Sequence, residues 1–345
     1  MRLQSAVAYA SGTGPRWVAV RDFDKDGKQD VLSVNDGDSV SFMRGKGDGS
    51  FEAPVISSRS GIEDGVALAD FNGDGKDDLA ISHELNGEVS LLLAGAQGRW
   101  GPAVRHAMGL RPLGLVAGDF NRDGKADLAA ASNLSNGAVT VRLGQGDGTF
   151  APAKTFSVRS NPQALAVGDF NRDGLLDIAV ITQDVNSGSS VLVGDGMGGF
   201  VSQGYFLAGS TPRAVTVGDW NGDGNLDLAV AHAEPSSALS VLMGNGAGDF
   251  STNVRSDVSG HPEAIACEDV NLDGRLDLAL PYSYSDGAVS LLLGAGTGSF
   301  GAVTQSSAGA TPKGIAFGDL NGDGWPDVVT GSTGSTIRVM LSTCQ

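Results

Sequence analysis

Basic residues are scarce in this chain. It carries 23 Lys and Arg against 40 Asp and Glu, for a formal net charge of −17. No basic stripe is present on which a nucleic acid backbone would lie, so nucleic acid is excluded as a partner. Cysteine is nearly absent: Cys267 and Cys344 are the only two, and a pair at unrelated repeat positions is not a disulfide framework. Cys267 stands where the other repeats carry Val20, Leu68, Ala117, Val167, Val217 and Phe317, so it reads as a small buried hydrophobe. Histidine and tyrosine number four each. No apolar run is long enough to span a bilayer, so no membrane insertion is expected. No secretory leader is in view, because the chain enters its repeat pattern almost at once. What the chain has in excess is glycine, 52 of 345 residues, beside 41% hydrophobic residues. That pairing fits many short strands joined by tight turns rather than disorder.

Nine residues recur seven times: DFDKDGKQD from Asp22, DFNGDGKDD from Asp70, DFNRDGKAD from Asp119, DFNRDGLLD from Asp169, DWNGDGNLD from Asp219, DVNLDGRLD from Asp269 and DLNGDGWPD from Asp319. The starts are 48, 49, 50, 50, 50 and 50 residues apart. A fixed period of this size marks a repeat architecture in which each copy is one supersecondary unit. Length alone would predict about two domains, but seven similar units predict one array, a single domain over residues 1–345.

Each copy presents oxygen donors at fixed offsets. Position 1 is Asp22, Asp70, Asp119, Asp169, Asp219, Asp269 or Asp319, and position 3 is Asp24, Asn72, Asn121, Asn171, Asn221, Asn271 or Asn321. Position 5 is Asp26, Asp74, Asp123, Asp173, Asp223, Asp273 or Asp323, and position 9 is Asp30, Asp78, Asp127, Asp177, Asp227, Asp277 or Asp327. Glycine at position 6 permits a sharp bend around an ion. Position 7 varies freely, as Lys28, Lys76, Lys125, Leu175, Asn225, Arg275 and Trp325, as expected if only its carbonyl is a ligand. Six to eight oxygens on a short turn are what calcium takes, so up to seven structural Ca2+ ions are expected, one per repeat. An EF-hand is excluded, because its bidentate Glu at position 12 is replaced by Ser33, Ile81, Ala130, Val180, Val230, Leu280 and Thr330. The acidity follows from these loops. They hold 22 of the 40 acids at ligand positions, and seven divalent ions would bring −17 to −3.

One repeat reads as four strands. In the third copy LGLVAGDF leads into the motif, LAAAS follows it, VTVRL comes next, and APAKTFS closes the unit after the turn GQGDGTF. No window carries a convincing helical period. Four short strands per repeat make a propeller blade, so the fold class is all-β, a seven-bladed propeller with units starting near residues 16, 64, 113, 163, 213, 263 and 313. Small residues five before the motif (Gly65, Gly114, Ala164, Ala214, Ala264 and Gly314) suit innermost strands crowding a central axis. Proline lies seven residues before the motif in six repeats, where it stiffens the start of a strand without costing a ladder bond. The last repeat stops at TIRVMLSTCQ with no fourth strand. LQSAVAYASGTGP near the N-terminus aligns with FAPAKTFSVRSNP, so residues 3–10 are predicted to complete the seventh blade and remove the open sheet edge.

The pattern P-x-[GA]-hydrophobic-small-hydrophobic-x-D-F-N-x-D-G-x-x-D-hydrophobic resembles the FG-GAP or VCBS repeats of integrin-α-like propellers, over essentially the whole chain. The FG and GAP portions survive only as fragments such as Phe300-Gly301-Ala302. The build is also similar to that of fungal integrin-like lectins, a resemblance that implies sugar binding.

Strand order puts the metal loops and the GxGxGxF turns on one face. The loops between strands two and three, and those between blades, fall on the other. The second face varies from blade to blade, and recognition on a rigid scaffold usually sits on such loops. Blade five supplies Arg213, His232 and Glu234 there, and blade six supplies His261, Glu263, Tyr282 and Tyr284. Tyrosines and charged groups in one sector suit stacking on a sugar ring, and imidazoles there would make binding vary between about pH 5 and 8. His83 and Glu84 in blade two are a secondary sector. Trp17 replaces the small residue of the other six repeats, as a plug or a lining of the central channel. The expected function is a calcium-stabilised, non-enzymatic recognition or adhesion propeller at an extracellular or cell-surface location, with a glycan as ligand. Protein–protein adhesion on the same face is one alternative. A polysaccharide lyase using Arg213, His232, His261, Tyr282 and Tyr284 is another.

Overall fold

The computed structural model describes residues 2–37, 39–58, 63–184, 187–233, 239–258, 260–282, 287–309 and 311–343, apart from the side chains of 63, 64 and 97. Seven four-stranded antiparallel sheets follow one another along the chain. Blade three shows the plan, with strands Pro112–Gly118, Asp127–Ser132, Ala138–Arg142 and Lys154–Ser157 paired in sequence order. The second strand is buried along its whole length in every blade. It reads as a continuous run such as Asp-Leu-Ala-Ala-Ala-Ser because both its faces pack on neighbouring blades. Apart from strands, the described residues hold a single helical turn, Ala96–Gly98. Among the described residues no helix is long and apolar enough to cross a membrane.

The first strands crowd the axis as their small residues predict. A Cβ on Gly65 of blade two would overlap the carbonyl oxygen of Leu113 in blade three, and one on Gly114 would stand 2.9 Å from Cα of Ala164 in blade four. A Cβ on Gly314 in blade seven would meet Cα of Trp17 in blade one at 3.0 Å, so the ring closes between the last unit and the first. Proline opens the first strand in five blades, at Pro15, Pro112, Pro162, Pro212 and Pro312. Pro262 makes a lone bridge to Tyr282 instead. The residue before the proline is left-handed in four inter-blade linkers, at Arg111, Asn161, Thr211 and Thr311. This conformation is uncommon for a β-branched residue, and the sequence carried no sign of it.

The chain closes the seventh blade with its N-terminus. Val7–Ala10 pairs antiparallel with Thr336–Met340, outside Asp327–Ser332 and Pro312–Gly318. Arg2–Leu3 adds a second short ladder to Ser342–Thr343. Tyr9 extends the seam to blade one: its hydroxyl donates to the Gly49 carbonyl at 3.1 Å, and its ring meets Phe51 edge-on at 5.0 Å.

Neighbouring blades are stitched on the loop face. The carbonyl at motif position 2 accepts an N–H from a glycine in the next blade's turn: Phe71 from Gly148, Phe120 from Gly198, Phe170 from Gly248 and Trp220 from Gly298. Leu320 of blade seven accepts from Gly49 of blade one in the same way. The aromatic side chains follow, with Phe71 against Phe150, Phe120 against Phe200 and Phe170 against Phe250, all edge-on with centroids 5.5–5.7 Å apart. Order in these five motifs is thereby coupled to the following blade.

Candidate functional site

The nine-residue loops are built around their own carboxylates. In blade one Asp22 accepts the N–H groups of Asp26 and Gly27 at 3.0 and 2.9 Å, and Asp26 accepts that of Lys28 at 3.0 Å. The same bonds recur in blade three from Asp119 and Asp123. This is an Asx-type turn whose bend needs the left-handed glycine at position 6, present in all seven copies.

Position 9 has a task that spacing alone did not reveal. Asp30 is fully buried, and each of its oxygens accepts a backbone N–H, from Phe23 at 3.0 Å and from Gly45 at 2.8 Å. The pair recurs at Asp78, Asp127, Asp177, Asp227, Asp277 and Asp327. This aspartate ties the motif to the end of the third strand. Burial pushes the carboxyls of Asp30, Asp127, Asp227, Asp277 and Asp327 up to about 6, against the pull of those N–H donors. A carboxylate oxygen has a second lone pair, so each remains able to face a cation.

The donor set suits a hard cation. One oxygen from each of Asp22, Asp24 and Asp30 lies within 4.8 Å of the others, a separation that a single ion spans with bonds of about 2.3–2.6 Å. Asp26 is not in that group. Blade one alone has Asp at position 3, and there Arg44 forms an ion pair with Asp24, offsetting the extra charge. The other six loops place a neutral Asn at position 3.

On the opposite face the blade-five and blade-six sector differs from expectation. Glu234 and Tyr284 lie outside the described residues, as does Cys344. Arg213 and Glu263 are exposed. His261 is half-buried, with Nδ1 on the Ala233 carbonyl. His232 and Tyr282, expected as ligand contacts, are core residues at 1% and 3% exposure. They pack into or beside the cluster of Leu239, Val258 and Leu280. The reason is their register. The last residue of the second strand is polar or tyrosine in every blade (Asn35, His83, Ser132, Thr182, His232, Tyr282 and Ser332), and it is buried each time. In blades one, two and five its partner is a third-strand serine: Asn35 donates to Ser41 at 2.9 Å, His83 meets Ser90 at 2.6 Å and His232 meets Ser240 at 3.1 Å. The secondary sector is likewise spoken for, since His83 is buried and Glu84 pairs with Arg111. Two residues of the set expected for a lyase, His232 and Tyr282, are thus in the core. Cys267 is a free thiol, half-buried rather than fully buried as its place in the repeat suggested, 3.3 Å from the Thr216 hydroxyl.

The pH expectation also changes. Burial drives His232 down to about 4, with Arg255 adding to the shift and the Ser210 carbonyl opposing it. An imidazole in the unfolded chain titrates near 6.5, so its folded pKa is depressed. Its stability contribution is then fully present above about pH 6.5 and lost as pH falls towards 4. NMR titration is expected to show the His232 ring neutral throughout pH 5–8. A midpoint above 6 would contradict its burial.

The structure places an open cavity of about 230 Å³ where Trp17 departs from the repeat. The indole packs beside the core of blades one and two and also lines the cavity. Ile265 and Ile315 form other walls, and Arg16, Asp36, Glu263 and Lys313 supply charge. Arg16 and Asp36 are 3.2 Å apart. These residues lie at the starts of first strands and just past the end of a second strand, on the face away from the metal loops.

Comparison with solved structures finds this architecture in proteins of different function. The chain is similar to the BP39L lectin from Burkholderia pseudomallei, with a TM-score of 0.68 and 15% identity over 96% of each chain. It is also similar to virginiamycin B lyase from Staphylococcus aureus, at 0.67 and 11% identity over 99% of this chain and 100% of that one. A third likeness is to BBS1N solved in complex with ARL6DN, at 0.67 and 13% identity over 99% and 96%. At such identities the likeness is one of fold. No curated protein sequence matches the chain. The FG-GAP-like repeat model matches residues 22–81, 70–130, 119–180, 169–230, 219–280 and 269–330. With aspartate-bounded turns repeated in every blade and a family match running from the first motif into the seventh blade, the chain belongs to the FG-GAP-like repeat family.

Proposed function

We propose that the protein is a calcium-stabilised, non-catalytic recognition propeller of an extracellular or cell-surface setting, and that it binds carbohydrate in the cavity beside Trp17. In each loop the carboxylates at positions 1, 5 and 9, the side-chain oxygen at position 3 and the carbonyl at position 7 would hold Ca2+. The ion would neutralise a turn that otherwise packs like charges together. The convergence of Asp22, Asp24 and Asp30 supports this. Loops of this kind suit a compartment where calcium is plentiful, in keeping with an extracellular or cell-surface setting.

The observation that carries the ligand reading is the cavity at Trp17. An indole face with Arg16, Asp36, Glu263 and Lys313 around it combines an apolar platform with both hydrogen-bond donors and acceptors, which is how an amphipathic sugar ring is held. About 230 Å³ is below the range for drug-sized ligands and suits one sugar residue. Likeness to a lectin propeller is in keeping with this. A neutral-glycan array followed by calorimetry tests it. Trp17→Ala and, to spare the core, Glu263→Gln are each expected to weaken binding at least tenfold. Unchanged affinity in Glu263→Gln, or capture of a protein partner with no glycan bound, would move the reading to protein–protein adhesion.

A further inference from the structure

Arg338 is the one break in a third-strand pattern. The residues in its register are Ser41, Ser90, Thr140, Ser190, Ser240 and Ser290, all buried. They face Ser33, Ile81, Ala130, Val180, Val230 and Leu280 across the sheet as Arg338 faces Thr330. A cation thus replaces a small hydroxyl in blade seven alone. Its Nε is buried and has no hydrogen-bond partner among the described residues. Gly309 makes room for it, since a Cβ there would run into the guanidinium. An unsatisfied buried donor in a native fold calls for an explanation.

The same side chain also borders open space. Arg338 lines an open groove of about 820 Å³ between the outer strands of blades six and seven, together with Arg2, Gln4, Ser306, Ser307 and Thr343. Among the described residues no Asp or Glu lines it, on a chain of net charge −17. Two guanidiniums offer forked donors matched to a carboxylate or sulfate, and the hydroxyl and amide side chains suit the remaining oxygens of a sugar. We propose that this seam is a second binding site, for an acidic oligosaccharide whose carboxylate or sulfate is held by Arg338 and Arg2. The choice of a sugar as carrier rests on the carbohydrate reading above, whereas the anion site stands on the groove itself and lies apart from the central cavity.

Arg338→Ser restores the residue type of the other blades, so it is expected to fold and melt like the wild type. Calorimetry with trigalacturonate, a sulfated disaccharide and neutral galactotriose reads the site at fixed ionic strength with calcium present. The wild type is expected to bind at least one acidic sugar tenfold or more above the neutral one. Arg338→Ser is expected to lose that preference and Arg2→Gln to weaken it, with Trp17→Ala leaving it intact. Acidic-sugar binding unchanged in Arg338→Ser, equal binding of the neutral sugar by Trp17→Ala, no binding of either acidic sugar, or preference for triglutamate would each overturn the proposal. Failure of the central-cavity reading appears separately, as neutral-sugar binding that survives Trp17→Ala.

Discussion

Excess chelator is expected to lower the melting temperature by about 10–15 °C. An ion at ten times its dissociation constant contributes roughly 1.4 kcal/mol per site, or about 10 kcal/mol over seven independent sites. For a chain of 345 residues the unfolding entropy converts that into about 14 °C. The loss should be cooperative, because the motif of one blade is bonded through Phe71, Phe120, Phe170, Trp220 or Leu320 to a turn glycine of the next. Loosening one loop therefore loosens its neighbour. Calcium is expected to restore the original melting temperature, and magnesium to restore it poorly, since Mg2+ demands octahedral geometry and gives up its water reluctantly. A melting curve unmoved after verified metal removal would show that the backbone bonds of these turns suffice alone.

The second large effect concerns closure. Deleting residues 1–11 removes both N-terminal ladders and the Tyr9 contacts to Gly49 and Phe51. It leaves Thr336–Met340 as a bare strand edge, and such an edge pairs readily with another chain. The deletion variant is expected to oligomerise or aggregate on size-exclusion chromatography with light scattering, and to unfold well below the full chain. Joining the termini and reopening the chain in another GxGxGxF turn keeps every ladder and should be tolerated. A deletion variant that stays monomeric and melts with the wild type would show that the seventh blade does not depend on these strands.

Most of the fold was legible because each rule repeats seven times. Spacing identified the blades, and the truncated last unit, with no fourth strand after TIRVMLSTCQ, pointed to the N-terminal closure. Small residues at Gly65, Gly114 and Gly314 foretold the crowded axis. The candidate ligand residues fared unevenly for a physical reason. His232 and Tyr282 were read as part of loops that vary from blade to blade, yet their position is polar or tyrosine in all seven blades and buried in each. Chemical type was the repeated feature, and identity only varied within it. The informative departures change type: Trp17, where other blades have glycine or alanine, and Arg338, where they have serine or threonine. Trp17 was legible at once. Arg338 was not, because it sits on a third strand away from the loops where recognition was sought. The double hydrogen bond of each position-9 aspartate was hidden too, since its second donor lies 15–17 residues downstream in a turn whose role was read as connection alone.

The most direct test of the account is a count of calcium bound per chain. Protein purified without chelator and dialysed against millimolar calcium is weighed for metal by mass spectrometry, and the same sample is melted before and after chelation. The account predicts close to seven calcium ions per chain and a melting temperature that falls as they leave. At most one ion per chain, or seven ions whose removal leaves the melting temperature in place, would contradict it.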